Sequence, residues 1–97
     1  MLTEKAILER AREREKLFLA NVTKRANFAE LLIYVEDNLL DLRELTKLRG
    51  TNFQHAAEKY IEHVVEQWQQ HICTRANDPT VAADKLRELL IKILKAL

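Results

Sequence analysis

The three histidines of this chain are the residues best suited to metal or acid–base chemistry. They are His55, His63 and His71, spaced eight residues apart in a segment with the composition of a helix. Eight residues rotate a helix by ~80° and advance it by ~12 Å, which is too far for two ligands of one zinc ion. No His-x-x-x-His or Glu-x-x-His pair occurs either. We therefore expect no metal site, with His55 facing solvent, His63 near the edge of the apolar face and His71 partly buried.

Other reactive side chains do not form a catalytic set. Cys73 lies two residues after His71, and positions i and i+2 of a helix point to different sides. The acidic row Glu58, Glu62 and Glu66 follows an i,i+4 spacing that is typical of a solvated helix face. The single glycine of the chain rules out a glycine-rich phosphate loop. The sequence predicts a protein that is not an enzyme and holds no cofactor.

The composition indicates an all-α protein with one domain. The chain has 97 residues, of which 47% are hydrophobic, and contains one Gly and one Pro. A β-protein of this size would need several turns rich in these residues, whereas Leu, Ala, Glu, Lys and Arg favour helices. We expect a single helical domain over residues 1–97, built as an antiparallel four-helix bundle.

Local signals place the helices near residues 3–24, 27–49, 52–74 and 79–97. Gly50 follows Lys47 and Arg49 and has the position of a helix C-terminal glycine. Thr51 and Gln54 have the spacing of a capping box for the third helix. Asp78 and Pro79 form the expected start of the fourth helix.

The boundary between the first two helices depends on the phase of their apolar residues. Residues 3–49 contain neither Gly nor Pro, so one long kinked helix is an alternative. The apolar stripe containing Ile7 and Phe18 differs by roughly 90° from the stripe containing Leu32 and Leu39 when a continuous helix is assumed. We therefore predict a break or sharp kink near residues 24–27.

The second helix is apolar around most of its circumference, which suggests that it is covered from more than one side. A second copy of the chain is the commonest way to cover such a helix, and we expect a homodimer through residues 27–49. The alternative is a helix buried centrally in its own subunit. The predicted interface residues are Leu31, Leu32, Tyr34, Val35, Leu39, Leu42 and Leu45.

The first helix is poorly amphipathic because Arg14 and Glu15 interrupt its apolar stripe. It could project from the domain as a docking arm for a protein partner. However, residues 1–25 contain seven basic and four acidic side chains, whereas residues 26–42 contain four acidic and no basic ones. This alternation predicts ion pairing of the first helix with the second, inside one subunit or between two.

The charge balance gives a weaker indication of nucleic-acid binding. The chain has 16 Lys and Arg against 15 Asp and Glu, a formal net charge of +1, so no general attraction to nucleic acid is expected. The helix–Gly50–helix turn and nearby polar residues nevertheless resemble a DNA-reading arrangement in outline. The candidate contacts are Arg10, Arg14, Lys24, Arg25, Arg49 and Asn52.

The leading hypothesis is a non-catalytic helical protein-interaction module, a small regulator, adaptor or subunit that forms a homodimer; a nucleic-acid-binding regulator is the alternative. The first residues lack the pattern of a signal peptide, and no apolar run approaches the ~20 residues of a membrane span. A single cysteine suits a reducing compartment. We expect a cytoplasmic protein.

Overall fold

Four α-helices make up the fold. A computed structural model describes residues 3–22, 28–72 and 79–97. The helices are α1 (Glu4–Val22), α2 (Phe28–Arg49), α3 (Phe53–Ile72) and α4 (Pro79–Ala96), and no strand occurs in these three ranges. The prediction of an all-α fold with four helices is confirmed.

Gly50 ends α2 as the sequence predicts. Its φ of 67° lies in the left-handed region, which glycine adopts without steric cost. The Thr51 N–H donates to the Thr46 carbonyl at 3.0 Å and the Gly50 N–H donates to the Lys47 carbonyl at 3.3 Å. These two bonds define a Schellman motif, which satisfies carbonyl groups left over at the end of the helix.

The N-terminal cap of α3 differs from the prediction by one residue. The Asn52 Oδ1 atom accepts a hydrogen bond of 2.9 Å from the His55 N–H, so Asn52 is the cap. Gln54, the expected partner of Thr51, instead donates to Glu58. Asn is at least as good a cap as Thr, which explains why the helix starts one position later than expected.

The first two helices are separate and antiparallel. Glu4 near the start of α1 pairs with Arg49 at the end of α2, whereas Phe18 near the end of α1 stacks on Tyr34 in the first half of α2. A continuous helix could not make either contact, so the predicted break is confirmed. Residues 24–27, where the break is predicted, lie outside the described residues, as does Asp78, while Pro79 begins α4 as predicted.

The second helix occupies the centre of the fold and packs against α1, α3 and α4. Helices α3 and α4 form the other large pairing. Asn38 of α2 bonds Tyr60 of α3, and Glu62 of α3 bonds Arg87 of α4, with each pair roughly equally far from the adjoining helix ends. Helices α2 and α4 are therefore each antiparallel to α3 and parallel to one another. Three neighbouring helices of the same subunit thus explain why α2 is apolar around most of its circumference. This is the alternative to the dimer that the sequence analysis names, a helix buried centrally in its own subunit.

One hydrophobic core joins all four helices. Most of its fully buried side chains come from α2, α3 and α4, and α1 contributes Phe18. Burying an aliphatic or aromatic side chain of this size contributes roughly 1.5–3 kcal/mol. The buried residues of the core are Phe18, Leu31, Val35, Leu39, Ala57, Ile61, Val64, Val65, Ala83, Leu86, Leu90 and Leu94.

The first helix is docked along its length, chiefly on α2. Thr3 caps its start, since the Ala6 N–H donates to Thr3 Oγ1 at 3.2 Å. Ile7 and Phe18 are buried, and Arg14 lies between them, half-buried. The alternative of a projecting arm is therefore wrong, because the charged residue that interrupts the apolar stripe also faces α2.

Candidate functional site

Most of the residues predicted to form a dimer interface lie inside the subunit. Leu31, Val35 and Leu39 have no exposed surface and Leu45 is 9% exposed. The other three, Leu32, Tyr34 and Leu42, are half-buried and packed against the core. This placement corrects the expectation that the stripe faces a second molecule: a folded partner could not reach its buried members. The outward side of α2 is formed by other residues.

A buried carboxylate connects α1 to α2. Asp41 on α2 is only 4% exposed, and its two oxygens accept hydrogen bonds from different arginines of α1. Arg10 Nε donates to Oδ1 at 2.9 Å, and its Nη2 also contacts this oxygen. Arg14 Nη1 donates to Oδ2 at 2.8 Å. The hydrogen bond to Asp41 raises the pKa of Arg10 above its usual value, so Arg10 remains charged.

The same hydrogen-bond network continues from α2 to α3. Arg14 Nη1 donates to Asn38 Oδ1 at 2.7 Å, and Asn38 Nδ2 donates to the Tyr60 hydroxyl at 2.6 Å. Burial raises the pKa of Tyr60 above its ordinary value, as it does for Tyr34. We call the set Arg10, Arg14, Asn38, Asp41 and Tyr60 the polar seam. It fixes the relative positions of three helices with directional bonds.

The polar seam accounts for two of the residues proposed to contact nucleic acid. Arg10 and Arg14 are paired with Asp41, and a third candidate, Arg49, pairs with Glu4 at the other end of α1. Asn52 uses its side-chain oxygen to cap α3. Lys24 and Arg25 lie outside the described residues. Binding of phosphate by these three arginines would compete with carboxylates that they already contact, so no observation favours this hypothesis, which stays a prediction.

A groove of about 380 Å³ runs between α1 and α3, with α2 as its floor. Its walls are mainly apolar. The polar seam contributes Asn38, Asp41 and Tyr60 to it, and Glu15 and His63 lie at the exposed rim. The seam side chains already bond one another, so the groove offers shape and apolar surface rather than a nucleophile with its base. Its apolar lining consists of Leu8, Ala11, Leu42, Leu45, Ala56 and Val64.

A second hollow, of about 250 Å³, lies on the outer side of α1 and α2. Its floor is a stacked pair of aromatic rings, Phe18 and Tyr34, whose centroids are 4.2 Å apart with planes at 10°. Two large aliphatic side chains flank it, Leu17 at 63% and Ile33 at 62% exposure. Three charged residues also line this hollow: Arg14, Glu30 and Asp37. We call Leu17, Ile33 and the ring pair the outer apolar patch.

The histidines show the arrangement expected of surface residues. His55 and His63 are exposed, while the side chain of His71 and all of Cys73 lie outside the described part of the chain. The acidic row Glu58, Glu62 and Glu66 is exposed, and Glu62 accepts a hydrogen bond of 2.6 Å from Arg87 on α4. Over residues 3–22, 28–72 and 79–97, no cluster of three His, Cys, Asp or Glu side chains could hold a metal ion.

Sequence reasoning predicted the ion pairing of the first helix with the second, which the Arg10, Arg14 and Arg49 contacts confirm. It missed Asp41 and Asn38 as buried partners. A usable signal was present: Arg14 interrupts the stripe of α1, and Asp41 interrupts the apolar run of α2. Two interruptions of opposite charge on helices predicted to be antiparallel indicate a buried pair.

No protein-family model, curated protein or solved structure matches this chain. Among the helices of the described residues, none combines the length and the apolar character needed to cross a bilayer. Function must therefore be inferred from the surfaces themselves.

Proposed function

We propose that this chain is a non-catalytic helical protein-interaction module that forms a homodimer through the outer side of α1 and α2. The observation that carries the proposal is the outer apolar patch. Leu17 and Ile33 are each more than 60% exposed, and they flank the same hollow on adjacent helices. Scattered exposed leucines are ordinary on protein surfaces, but large aliphatic side chains clustered around a shared hollow are typical of an interaction site.

The fixed positions of the helices in the subunit support this proposal. The polar seam and the core hold α1, α2 and α3 in fixed positions, so the patch is presented on a rigid surface. The single cysteine suits a reducing compartment, and we include a cytoplasmic location in the proposal on that ground.

The test compares two leucines of the same helix. Leu17 lines the outer hollow, whereas Leu19, two residues away, points to a different side of α1 and is 42% exposed. Leu17→Glu should lower the fraction of dimer at least tenfold in sedimentation velocity over a concentration series, because a charge would be placed in the apolar contact. Leu19→Glu should leave the dissociation constant unchanged.

Far-UV circular dichroism of both variants controls for folding, which neither exposed substitution should disturb. A wild-type chain that sediments as a monomer at every concentration would refute the homodimer. Equal effects of the two substitutions would show that the outer apolar patch is not the contact.

A further inference from the structure

The outward side of α2 also carries unpaired negative charge. Glu36 and Asp37 each lie three or four residues from both Ile33 and Leu40, so the four residues lie on one side of α2, which we call the acidic strip. Glu36 is exposed and Asp37 half-buried, and no ion pair involves either carboxylate within the described residues. Apolar and acidic side chains are therefore both available on this side of α2.

The neighbouring helix carries the opposite charge in a similar stripe. Lys85, Leu89, Lys92 and Ala96 recur at intervals of four, three and four residues along α4, and all four are exposed. We call them the basic strip. Leu89 is 38% exposed, and neither lysine forms an ion pair with another described residue. The basic strip is thus a second amphipathic surface whose charges are unused.

The two strips lie side by side on one side of the subunit. Leu40 is two residues, or about 200°, from Leu42, which lines the groove beside α3. Lys85 is likewise two residues from Arg87, whose guanidinium bonds Glu62 of α3. Both strips therefore face away from α3, and their helices are in direct contact. Their charges nevertheless do not pair within the subunit.

We propose that the partner is a second copy of this chain, bound so that the acidic strip of each copy contacts the basic strip of the other. This inference rests on the proposed homodimer and specifies its geometry. A two-fold axis that runs between α2 and α4, along their common direction, places α4 of one copy on α2 of the other, with the two helices parallel. Each favourable contact then occurs two times in the dimer, once on each side of the axis, as an isologous interface requires. Leu89 then meets the apolar positions of the acidic strip, beside the outer apolar patch.

The charge complementarity selects a second copy over an unrelated partner. A basic partner would be complementary to the acidic strip alone, and an acidic partner would be complementary to the basic strip alone. Because this side of the subunit carries both strips next to each other, it is complementary to itself after a two-fold rotation. Paired charges of this type set the orientation of the partners and the rate of association.

Charge-reversal variants test this geometry. The first variant, Glu36→Lys with Asp37→Lys, makes both strips basic; the second, Lys85→Glu with Lys92→Glu, makes both acidic. Each alone should sediment as a monomer at concentrations where the wild type is a dimer, with a dissociation constant at least tenfold higher. An equimolar mixture should recover the dimer, since each contact in the heterodimer then joins opposite charges.

Two controls and three outcomes complete the design. Lys59→Glu, an exposed change on α3, should leave the dimer intact, and a chain carrying all four reversals should form a dimer by itself. Recovery only in the mixture and in the four-fold variant supports the proposal. Variants that remain dimers alone while Leu17→Glu dissociates would overturn this geometry and leave the proposed function standing. A monomeric wild type would overturn both.

Discussion

Replacing Asp41 tests whether the polar seam holds α1 on the rest of the fold. Asp41→Asn preserves the size of the side chain but exchanges one carboxylate oxygen for an amide group. The two oxygens of Asp41 accept from Arg10 and Arg14, respectively. In either orientation the amide places N–H groups against a guanidinium donor. At least one charge-assisted hydrogen bond between α1 and α2 is therefore lost.

The free energy lost in Asp41→Asn depends on how exposed the arginine partners of Asp41 are to solvent. A hydrogen bond to a charged group contributes about 1.5–3 kcal/mol, and breaking a fully buried ion pair costs roughly 3–5 kcal/mol. The Arg14 side chain is 22% exposed, so solvent lowers the effect toward the smaller range. We expect Asp41→Asn to lower the free energy that holds α1 on α2 by about 2 kcal/mol. Because α1 packs chiefly on α2, this loss should appear as detachment of α1 rather than as unfolding of the whole protein.

Hydrogen exchange followed by mass spectrometry measures that detachment directly. A tenfold change in an equilibrium corresponds to about 1.36 kcal/mol, so amides of α1 should exchange about 30-fold faster in Asp41→Asn. Amides in α3 and α4 should be unchanged. Glu44→Gln is the matched control, because Glu44 lies three residues after Asp41 on α2 and its one ion pair, with Lys47, is within the same helix.

Two results would refute this reasoning. Equal acceleration in α1 and α3 would show that α1 opens only when the whole domain unfolds. Unchanged exchange in α1 would show that the polar seam does not contribute to its docking.

The remaining predictions concern one buried hydroxyl and one turn. Tyr60→Phe should cost about 1 kcal/mol at pH 7, because the Asn38 amide loses its acceptor. Burial raises the pKa of Tyr60 in the folded state, so its contribution is complete below the unfolded pKa of about 10 and is lost as the pH rises above it. Urea titrations from pH 8 to 11 should therefore show the wild type losing stability more steeply than Tyr60→Phe; parallel curves would contradict the assignment. Gly50→Ala should lower the free energy of unfolding by about 1 kcal/mol, because a φ of 67° strains a residue with a Cβ, and no atom within 4 Å would obstruct that Cβ. Gly50→Asn, which tolerates this conformation better, should lose less in the same titration, and equal losses would indicate a cause other than backbone strain.

Much of the fold was predictable because its signals are local. Gly50 and Pro79 each require a particular backbone geometry, and both mark helix boundaries in the structure. The phase difference between the stripes of Phe18 and Leu39 also identified two helices where no breaking residue occurs. Such features depend on a few neighbouring residues, so a single sequence is sufficient to recognise them.

The candidate site was harder to predict because burial does not reveal what covers a residue. The apolar pattern correctly indicated that Leu31, Val35 and Leu39 avoid water. It could not distinguish a second molecule from α3 and α4 of the same chain. Conversely, Ile33 was not among the predicted interface residues because it lies away from the main stripe of α2, and for that same reason it is exposed.

The charged residues divide into two groups that serve different surfaces. Every ion pair between helices in the described part of the chain uses an arginine, as in Arg14 with Asp41 and Arg87 with Glu62. Ion pairs of described lysines, by contrast, occur only within a helix, at 3.8–4.0 Å. Arginine presents a planar fork that suits a fixed carboxylate, whereas lysine is a strongly hydrated point charge on a flexible stem. Arginines thus fix the positions of helices inside the subunit, whereas Lys85 and Lys92 of α4 form no ion pair with another described residue. This division explains how a chain with a net charge of only +1 can carry separate acidic and basic strips without neutralising them internally.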